Sequence, residues 1–153
     1  MSTTEDLFRF QVETLEMIAT GRPLLTIMDA IARYAESQSE DLRCAIAFID
    51  AELRIRPATT SKLPASYSGA LDGVPVYPYI GPCGLAAYQK APVVSENIET
   101  DDRWSDGFRA LTEELGLKAC WSTPVFDSRG APTPKEIPIG RTDQPGLSKA
   151  ATA

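Results

Sequence analysis

The chain has 153 residues, a net charge of −6 at neutral pH and no histidine. Its length is that of one ordinary domain, and its charge argues against non-specific binding to nucleic acid or to an anionic membrane, which needs clustered Lys and Arg. Without histidine, a Ser-His-Asp triad, a Cys-His dyad, a His-ligated haem and most zinc sites are excluded. No CxxC, Walker A or GxGxxG pattern indicates a metal or phosphate site.

Signals for membranes and for secretion are equally missing from the sequence. No apolar run approaches the roughly 18–20 residues of a membrane helix, and the N-terminus MSTTEDLFRF carries acids where a secretory signal carries basic residues. The cysteines Cys44, Cys83 and Cys120 are odd in number and widely spaced, which suits free thiols in a reducing compartment. These features predict a cytoplasmic protein without a membrane partner.

Two amphipathic helices are predicted at the start of the chain. The first runs from Glu5 to Thr20 and the second from Pro23 to about Ser37, with Gly21 as the stop between them. Apolar residues recur at helical spacing on the first helix at Phe8, Val12, Leu15 and Ala19, and on the second at Leu24, Ile27, Ile31 and Tyr34. The first helix could pack on its own sheet or join two subunits in a homodimer.

The middle of the chain predicts a hairpin followed by a short helix. Arg43 to Asp50 is apolar on both faces, as in a central strand, and Leu53 to Ala58 is its partner, weakened by Pro57, which cannot donate to a ladder. The helix from Leu63 to Leu71 ends at Asp72-Gly73. The stretch VPVYPYIGPC then has little room for regular structure.

Two helices and two strands are predicted in the second half. A helix begins near Gly81 and ends at Lys90, a strand covers Pro92 to Ser95, a helix holds Phe108 to Leu115, and a strand covers Lys118 to Asp127. Thr100 is expected to cap a turn that holds Asp101 and Asp102, which explains this acid pair better than a metal site does. On the last strand, Ala119, Trp121, Thr123 and Val125 share one face.

After Gly130 the composition changes. Residues 131–153 contain four prolines, no aromatic residue and no sustained periodicity, which is typical of a disordered tail. The predicted organisation is therefore one domain over residues 1–130 and a Pro-rich tail over residues 131–153. The mixed order of helices and strands predicts an α+β fold, an antiparallel sheet with helices packed against it.

Specific motifs resemble the bacterial GAF domains of sensor histidine kinases and cyclic-di-GMP signalling proteins. The matching residues, which lie within Phe10 to Asp127, are Asp72-Gly73, Gly81 with Cys83-Gly84, Val94 to Ile98, Asp101 with Trp104, and Gly116 to Pro124. The resemblance implies a GAF-like antiparallel sheet flanked by helices, and a module that senses a small molecule and signals through its terminal helices. Catalysis is not expected.

The resemblance stops after the turn at Asp127 to Gly130. Such domains continue with a central strand and a closing helix, and here both are missing or replaced by the Pro-rich tail. An absent central strand leaves buried backbone groups unpaired, at about 1–3 kcal/mol each. A second hypothesis follows, namely that the chain is a truncated or frameshifted fragment of a larger sensor, without signalling activity.

The ligand-binding residues expected from the resemblance include one thiol. Cys83 lies at a predicted helix N-terminus, where the helix dipole lowers a thiol's pKa, but a small buried residue that packs the helix start is the favoured interpretation. A third hypothesis is a thiol enzyme like the free methionine sulfoxide reductases, which also use a Cys in a G-x-CG setting. Those enzymes carry a further Cys in the loop before the last strands, and this loop has none.

The other expected ligand-binding residues are mostly aromatic. They are Phe48, Tyr67, Tyr79, Trp104, Trp121 and Thr123. Each could line an apolar pocket or simply fill the core, and for Trp121 the core is favoured. The ligand stays unknown: cyclic nucleotides, tetrapyrroles and small acids occur in the family, and the absence of histidine disfavours haem. The sequence contains no kinase, cyclase or phosphodiesterase output domain.

Overall fold

A computed structural model describes residues 3–59 and 62–126 of the chain. The helices are α1 (Thr4–Ala19), α2 (Leu24–Glu36), α3 (Ala65–Leu71), α4 (Pro82–Gln89) and α5 (Asp106–Glu114). The strands are β1 (Ile46–Ile49), β2 (Ile55–Thr59), β3 (Val93–Ser95) and β4 (Cys120–Ser122). The predicted order of elements is confirmed, but the strands are shorter than the apolar runs that predicted them.

Helix α1 begins with a capping box. The Thr3 hydroxyl accepts the backbone N–H of Asp6 at 3.2 Å, and the Asp6 carboxylate accepts the backbone N–H of Thr3 at 3.0 Å. Two backbone donors that the helix itself cannot satisfy are thereby paired. The helix consequently starts at Thr4, one residue before the predicted start.

Helices α1 and α2 pack against each other along one side of α1. The rings of Phe10 and Tyr34 are stacked, with centroids 3.9 Å apart and planes 3° from parallel. No residue of α1 is buried, and Phe8 and Leu15 expose 66% and 63% of their surface. Packing within the chain therefore contributes little to the stability of α1, since packing supplies most of a helix's stability.

A buried carboxylate joins the end of α2 to two later segments. Glu36 is 2% exposed, and its Oε1 accepts the backbone N–H groups of Cys44 at 3.0 Å and Lys62 at 3.2 Å. Charged acceptors make stronger hydrogen bonds than neutral ones, and a buried charge without such partners is costly. Glu36 therefore holds the segments before β1 and after β2 at the helix end.

Strands β1 and β2 form a two-stranded sheet around a tight turn. The Asp50 carboxylate accepts the backbone N–H groups of Glu52 and Arg54 at 3.0 and 2.9 Å, which is typical of a turn that begins at an aspartate. Residues 53–55 also pair with residues 73–76, through Ile55 N–H to the Val74 carbonyl and Val76 N–H to the Leu53 carbonyl, both 2.8 Å. The stretch VPVYPYIGPC, which was predicted to be irregular, therefore begins with a short ladder.

The second half of the chain holds a compact hydrophobic core. Strands β3 and β4 pair antiparallel, and α4 packs against both. The core residues are Val74, Ile80, Ala86, Val93, Ile98, Trp104 and Phe108. The rings of Trp104 and Phe108 meet edge to face at 5.8 Å, one of the geometries that aromatic pairs favour.

The predicted α+β class is confirmed: five helices accompany two separate two-stranded sheets within the described residues. The chain divides into a helical unit (Met1–Phe48 and Pro57–Ser68) and a core unit (Ile49–Arg56 and Gly69–Ala153). Across residues 3–59 and 62–126, no helix is long and apolar enough to cross a membrane. The predicted missing strand and the tail at residues 131–153 lie outside the described residues.

Candidate functional site

The start of helix α4 is built around two glycines of the G-x-CG motif. Gly81 has φ = +137°, and a Cβ there would lie 2.6 Å from Cε2 of Phe108. A Cβ on Gly84 would lie 2.6 Å from the carbonyl oxygen of Tyr77. Both distances are shorter than real Cβ contacts, so only glycine fits. Close packing explains these motif glycines and fixes where Cys83, between them, is held.

Cys83 is half-buried, and burial raises the pKa of its thiol. The nearby Ser122 side chain and the backbone N–H of Cys83 act to lower this pKa but do not overcome the effect of burial. The lowered pKa expected at a helix N-terminus is therefore wrong for Cys83. The physical reason is that burial removes water from the thiolate and so disfavours the charged form, and this is the largest cause of the shift.

The β3–β4 ladder brings a second thiol to the same side of the core unit. Ser95 pairs with Cys120 and Val93 pairs with Ser122, and α4 packs against both strands. Side chains two residues apart on a strand share a face, so Cys120 lies on the same face as Ser122, a polar neighbour of Cys83. Burial, followed by the influence of Cys83 and of Asp101, raises the pKa of Cys120 to about 12.

This neighbourhood of Cys83 and Cys120 was not found from the sequence. The two residues are far apart along the chain, and only the ladder register and the packing of α4 bring them to one side. Cys120 is half-buried against the hydrophobic core. The alternating pattern of the last strand was the one signal in the sequence that could have placed Cys120 on the face that α4 covers.

A charged network closes one end of the β3–β4 ladder. The Asp101 carboxylate accepts hydrogen bonds from Arg103 Nη2 at 2.6 Å, from Arg103 Nε at 2.9 Å and from the Ser95 hydroxyl at 2.6 Å. Arg103 Nη2 also donates to the Val94 carbonyl at 2.6 Å. The Arg103 guanidinium holds the pKa of Asp101 well below its usual range, so this carboxylate stays ionised at neutral pH.

Trp104 completes this network from inside the core. Its ring is 3% exposed, and Nε1 donates to the Ser95 hydroxyl at 2.9 Å. The Arg103 guanidinium carbon lies 4.9 Å from the centre of the Trp104 ring, within reach of a cation–π interaction. Trp104 is a member of the hydrophobic core, and its use in ligand binding stays a prediction.

The turn that precedes α5 is capped differently from the prediction. Asp101 itself accepts the backbone N–H of Arg103 at 3.1 Å, and the Ser105 hydroxyl accepts the N–H of Phe108 as the N-cap of α5. The predicted capping by Thr100 is therefore corrected, because the carboxylate of Asp101 accepts the free N–H of this turn. No group of three or more His, Cys, Asp or Glu side chains is arranged for a metal ion in residues 3–59 and 62–126.

The face of β4 that carries Trp121 points away from the core. Ala119, Trp121, Thr123 and Val125 are all exposed, with Trp121 at 64%, while Cys120 and Ser122 are half-buried. Of these four residues only Trp121 lies within β4, so their shared face stays a prediction, and the favoured core position of Trp121 is wrong. Hydrophobicity alone does not tell which of the two faces is covered, whereas the packing of α4 does.

The seven predicted ligand-binding residues are divided between the two units. Phe48, 39% exposed, and the half-buried Tyr67 belong to the helical unit. Tyr79, Cys83, Trp104, Trp121 and Thr123 belong to the core unit. Within that unit Cys83 lies near the β3–β4 ladder and Tyr79 is half-buried, its carbonyl accepting the N–H of Ser105 at 3.1 Å. Their use in binding stays a prediction.

Comparison with known proteins identifies the family. Residues 23–133, more than half of the chain, match the GAF domain. The chain is also 33% identical, over 127 residues, to a protein of Methanosarcina acetivorans called the methyl sulfide methyltransferase-associated sensor. That match covers 82% of this chain but only 13% of the relative, so the chain spans about one eighth of the relative's length. This chain is a member of the GAF domain family.

Proposed function

We propose that this chain is a cytoplasmic sensory domain that binds a small molecule and transmits a conformational change through its helices, without catalysing a reaction. The observation that carries the proposal is the 33% identity, over 82% of the chain, to a protein named as a sensor. Residues 23–133 of this chain match the GAF domain. A ligand can shift such a domain only through different affinities for its two conformations.

The state of the thiols supports binding over thiol chemistry. The pKa values of Cys83 and Cys120 are both raised, the latter to about 12, and burial is the largest cause for each. The thiolate is the nucleophile, so a thiol that stays protonated at neutral pH reacts slowly. Catalytic cysteines are found in surroundings with the opposite effect on the pKa.

One observation favours a second candidate function, the reduction of free methionine sulfoxide. The sequence offered no thiol partner for Cys83 in the expected loop, but Cys120 on β4 is close enough to Cys83 for its own pKa to be influenced. A reductase acting on free methionine sulfoxide needs such a second thiol. Incubation with free methionine sulfoxide and dithiothreitol separates the two functions. We expect no turnover, and turnover that is lost in Cys83→Ser but kept in Cys44→Ser would replace sensing with catalysis.

Ligand binding is tested directly by thermal unfolding of the full chain. The compounds are cyclic nucleotides, tetrapyrroles and small carboxylic acids, each screened for an increase in Tm. A ligand present at 100 times its Kd stabilises the folded state by about 2.7 kcal/mol, a readily measured shift. A cooperative transition that no compound shifts contradicts binding of these ligand classes, and the absence of any cooperative transition supports the fragment hypothesis.

The exposed Trp121 allows the predicted binding residues to be examined without unfolding the domain. Trp121→Ala is expected to weaken binding of any compound found in the screen while leaving the Tm of the free protein unchanged. Leu25→Ala is the matched control, because Leu25 is similarly exposed, at 56%, but was not predicted to bind ligand. Equal affinities for the two variants would remove Trp121 from the site.

A homodimer through α1 is part of the same proposal. Its support is the apolar surface that α1 leaves exposed, which comprises Leu7, Phe8, Val12, Leu15 and Ile18. Contiguous exposed apolar surface on a soluble protein marks an interaction site. A second copy of the chain would cover this surface and link the two sensory domains.

A further inference from the structure

The exposed apolar residues of α1 follow a regular 4-3-4 spacing. Phe8, Val12, Leu15 and Ala19 are all exposed, the first three at 66%, 48% and 63%. This spacing is that of the core positions of a two-helix coiled coil, so the four side chains form one straight line along the helix. The line is a seam for another helix.

The seam lies on the side of α1 opposite α2. Each residue turns the helix by about 100°, so Phe10 is about 200° around the helix from Phe8. Phe10, Thr14 and Met17 are half-buried, and Phe10 stacks on Tyr34 of α2. Helix α1 can therefore keep its contact with α2 while its seam is covered by a partner.

The sizes of the seam residues match when a second copy runs antiparallel. With Val12 opposite the partner's Leu15, Phe8 lies opposite the partner's Ala19, and symmetry repeats both pairs. Every layer then combines a larger with a smaller side chain, so the volume per layer is even and close packing is possible. A parallel pair places Phe8 on Phe8 and Ala19 on Ala19, which gives one crowded and one empty layer.

The charges beside the seam favour the same direction. Arg9 and Glu16 each follow a seam residue by one position, so in the antiparallel arrangement Arg9 of each copy meets the partner's Glu16. In a parallel pair these residues are seven positions, or roughly 10 Å, apart along the axis and cannot pair. The contacts of Arg9 within its own helix, to Glu5 at 3.9 Å and Asp6 at 3.8 Å, are long and exposed, so little is lost when Arg9 turns to a partner.

We propose that two copies of this chain associate antiparallel through α1, with a seam of Phe8, Val12, Leu15 and Ala19 and two symmetric Arg9–Glu16 ion pairs. The proposal rests on the homodimer that forms part of the proposed function, and it adds the direction of the helices and the residues that set it. It does not depend on which small molecule the domain binds.

Sedimentation velocity of the full chain over a range of concentrations tests the seam. Leu15→Lys is expected to raise the dimer Kd at least tenfold, because a charge then lies between apolar side chains. Glu13→Lys is the control, since Glu13 lies on the polar side of the same helix, about 140° from Phe8. Far-UV circular dichroism checks that both variants keep their helices. A wild-type chain that stays monomeric, or equal effects of the two variants, overturns the seam.

A charge swap tests the direction of the helices. Arg9→Glu and Glu16→Arg each place like charges together twice in an antiparallel dimer, and each is expected to raise the Kd about fivefold. The double variant Arg9→Glu/Glu16→Arg restores both ion pairs and should return to within about twofold of wild type. A dimer without this rescue overturns the antiparallel direction. Ligand-induced Tm shifts, measured on the same variants, report separately on the sensing function.

Discussion

The two units of this chain differ in the fraction of their apolar side-chain surface that is buried. The core unit encloses Trp104, Phe108 and Ile98 at 4% exposure or less. The helical unit leaves Phe8 and Leu15 more than 60% exposed on a helix in which no residue is buried. The comparison teaches that an apolar periodicity predicts a helix but not a buried one, because burial needs a second surface.

The polar groups of the two units show less contrast. Ser95 in the core unit and Glu36 in the helical unit are both buried, and both make hydrogen bonds shorter than 3.1 Å. Each satisfied group joins segments that are distant in sequence. The units therefore differ in how apolar surface is covered, and four measurements can break or sharpen this distinction.

The largest effect is expected from the two tryptophans. Trp104→Ala should lower the free energy of unfolding by about 3–5 kcal/mol, since it empties part of the core and removes the donor to Ser95. Trp121→Ala, at an exposed position, should change it by less than about 0.5 kcal/mol. Urea unfolding gives both values. Similar losses for the two variants would contradict the difference in burial between Trp104 and Trp121.

The second largest loss of stability is expected from changing Glu36, the buried carboxylate of the helical unit. Glu36→Ala leaves the N–H groups of Cys44 and Lys62 without their acceptor and should cost about 2–3 kcal/mol. Glu36→Gln keeps an oxygen acceptor of nearly the same shape and serves as the control, with a smaller loss. Urea unfolding again measures both, and a harmless Glu36→Ala would show that this unit does not depend on the connection.

Two glycines test close packing in the core unit. Gly84→Ala pushes a methyl group against the Tyr77 carbonyl and should destabilise the protein by about 1–3 kcal/mol. Gly69→Ala in α3 meets nothing within 4 Å and should be neutral or stabilising by up to about 1 kcal/mol. The difference in Tm between the two variants measures the effect. Equal Tm values would argue that α4 can move away from Tyr77.

The smallest effect is expected in the pH dependence of stability. The pKa of Asp101 is lower in the folded than in the unfolded chain, so its stabilising contribution is present above the unfolded pKa, near 4. It is lost as the pH falls through the folded pKa, because the unfolded chain takes up the proton first. Between pH 5 and pH 3, Asp101→Asn should therefore lose less stability than wild type does. An unchanged pH dependence would separate Asp101 from the ion pair with Arg103.

Local features of this fold could be predicted from the sequence because they depend on neighbouring residues. The two helices at the start, the turn at Asp50, and the stops at Gly73 and Gly116, both with positive φ, need only backbone preferences and periodicity. The seven predicted binding residues did not become one described site, since a binding surface depends on distances that periodicity does not contain.

The sequence by itself determined the family, the order of the elements and the α+β class, because motifs and periodicity act over a few residues. Only the tertiary structure decided that Trp104 is buried and Trp121 exposed, since α4 covers one face of the β3–β4 ladder and not the other. It also decided the chemistry of the thiols. The helix start predicts a lowered pKa for Cys83, but the removal of water on packing raises it, and the loss of hydration is the larger energy.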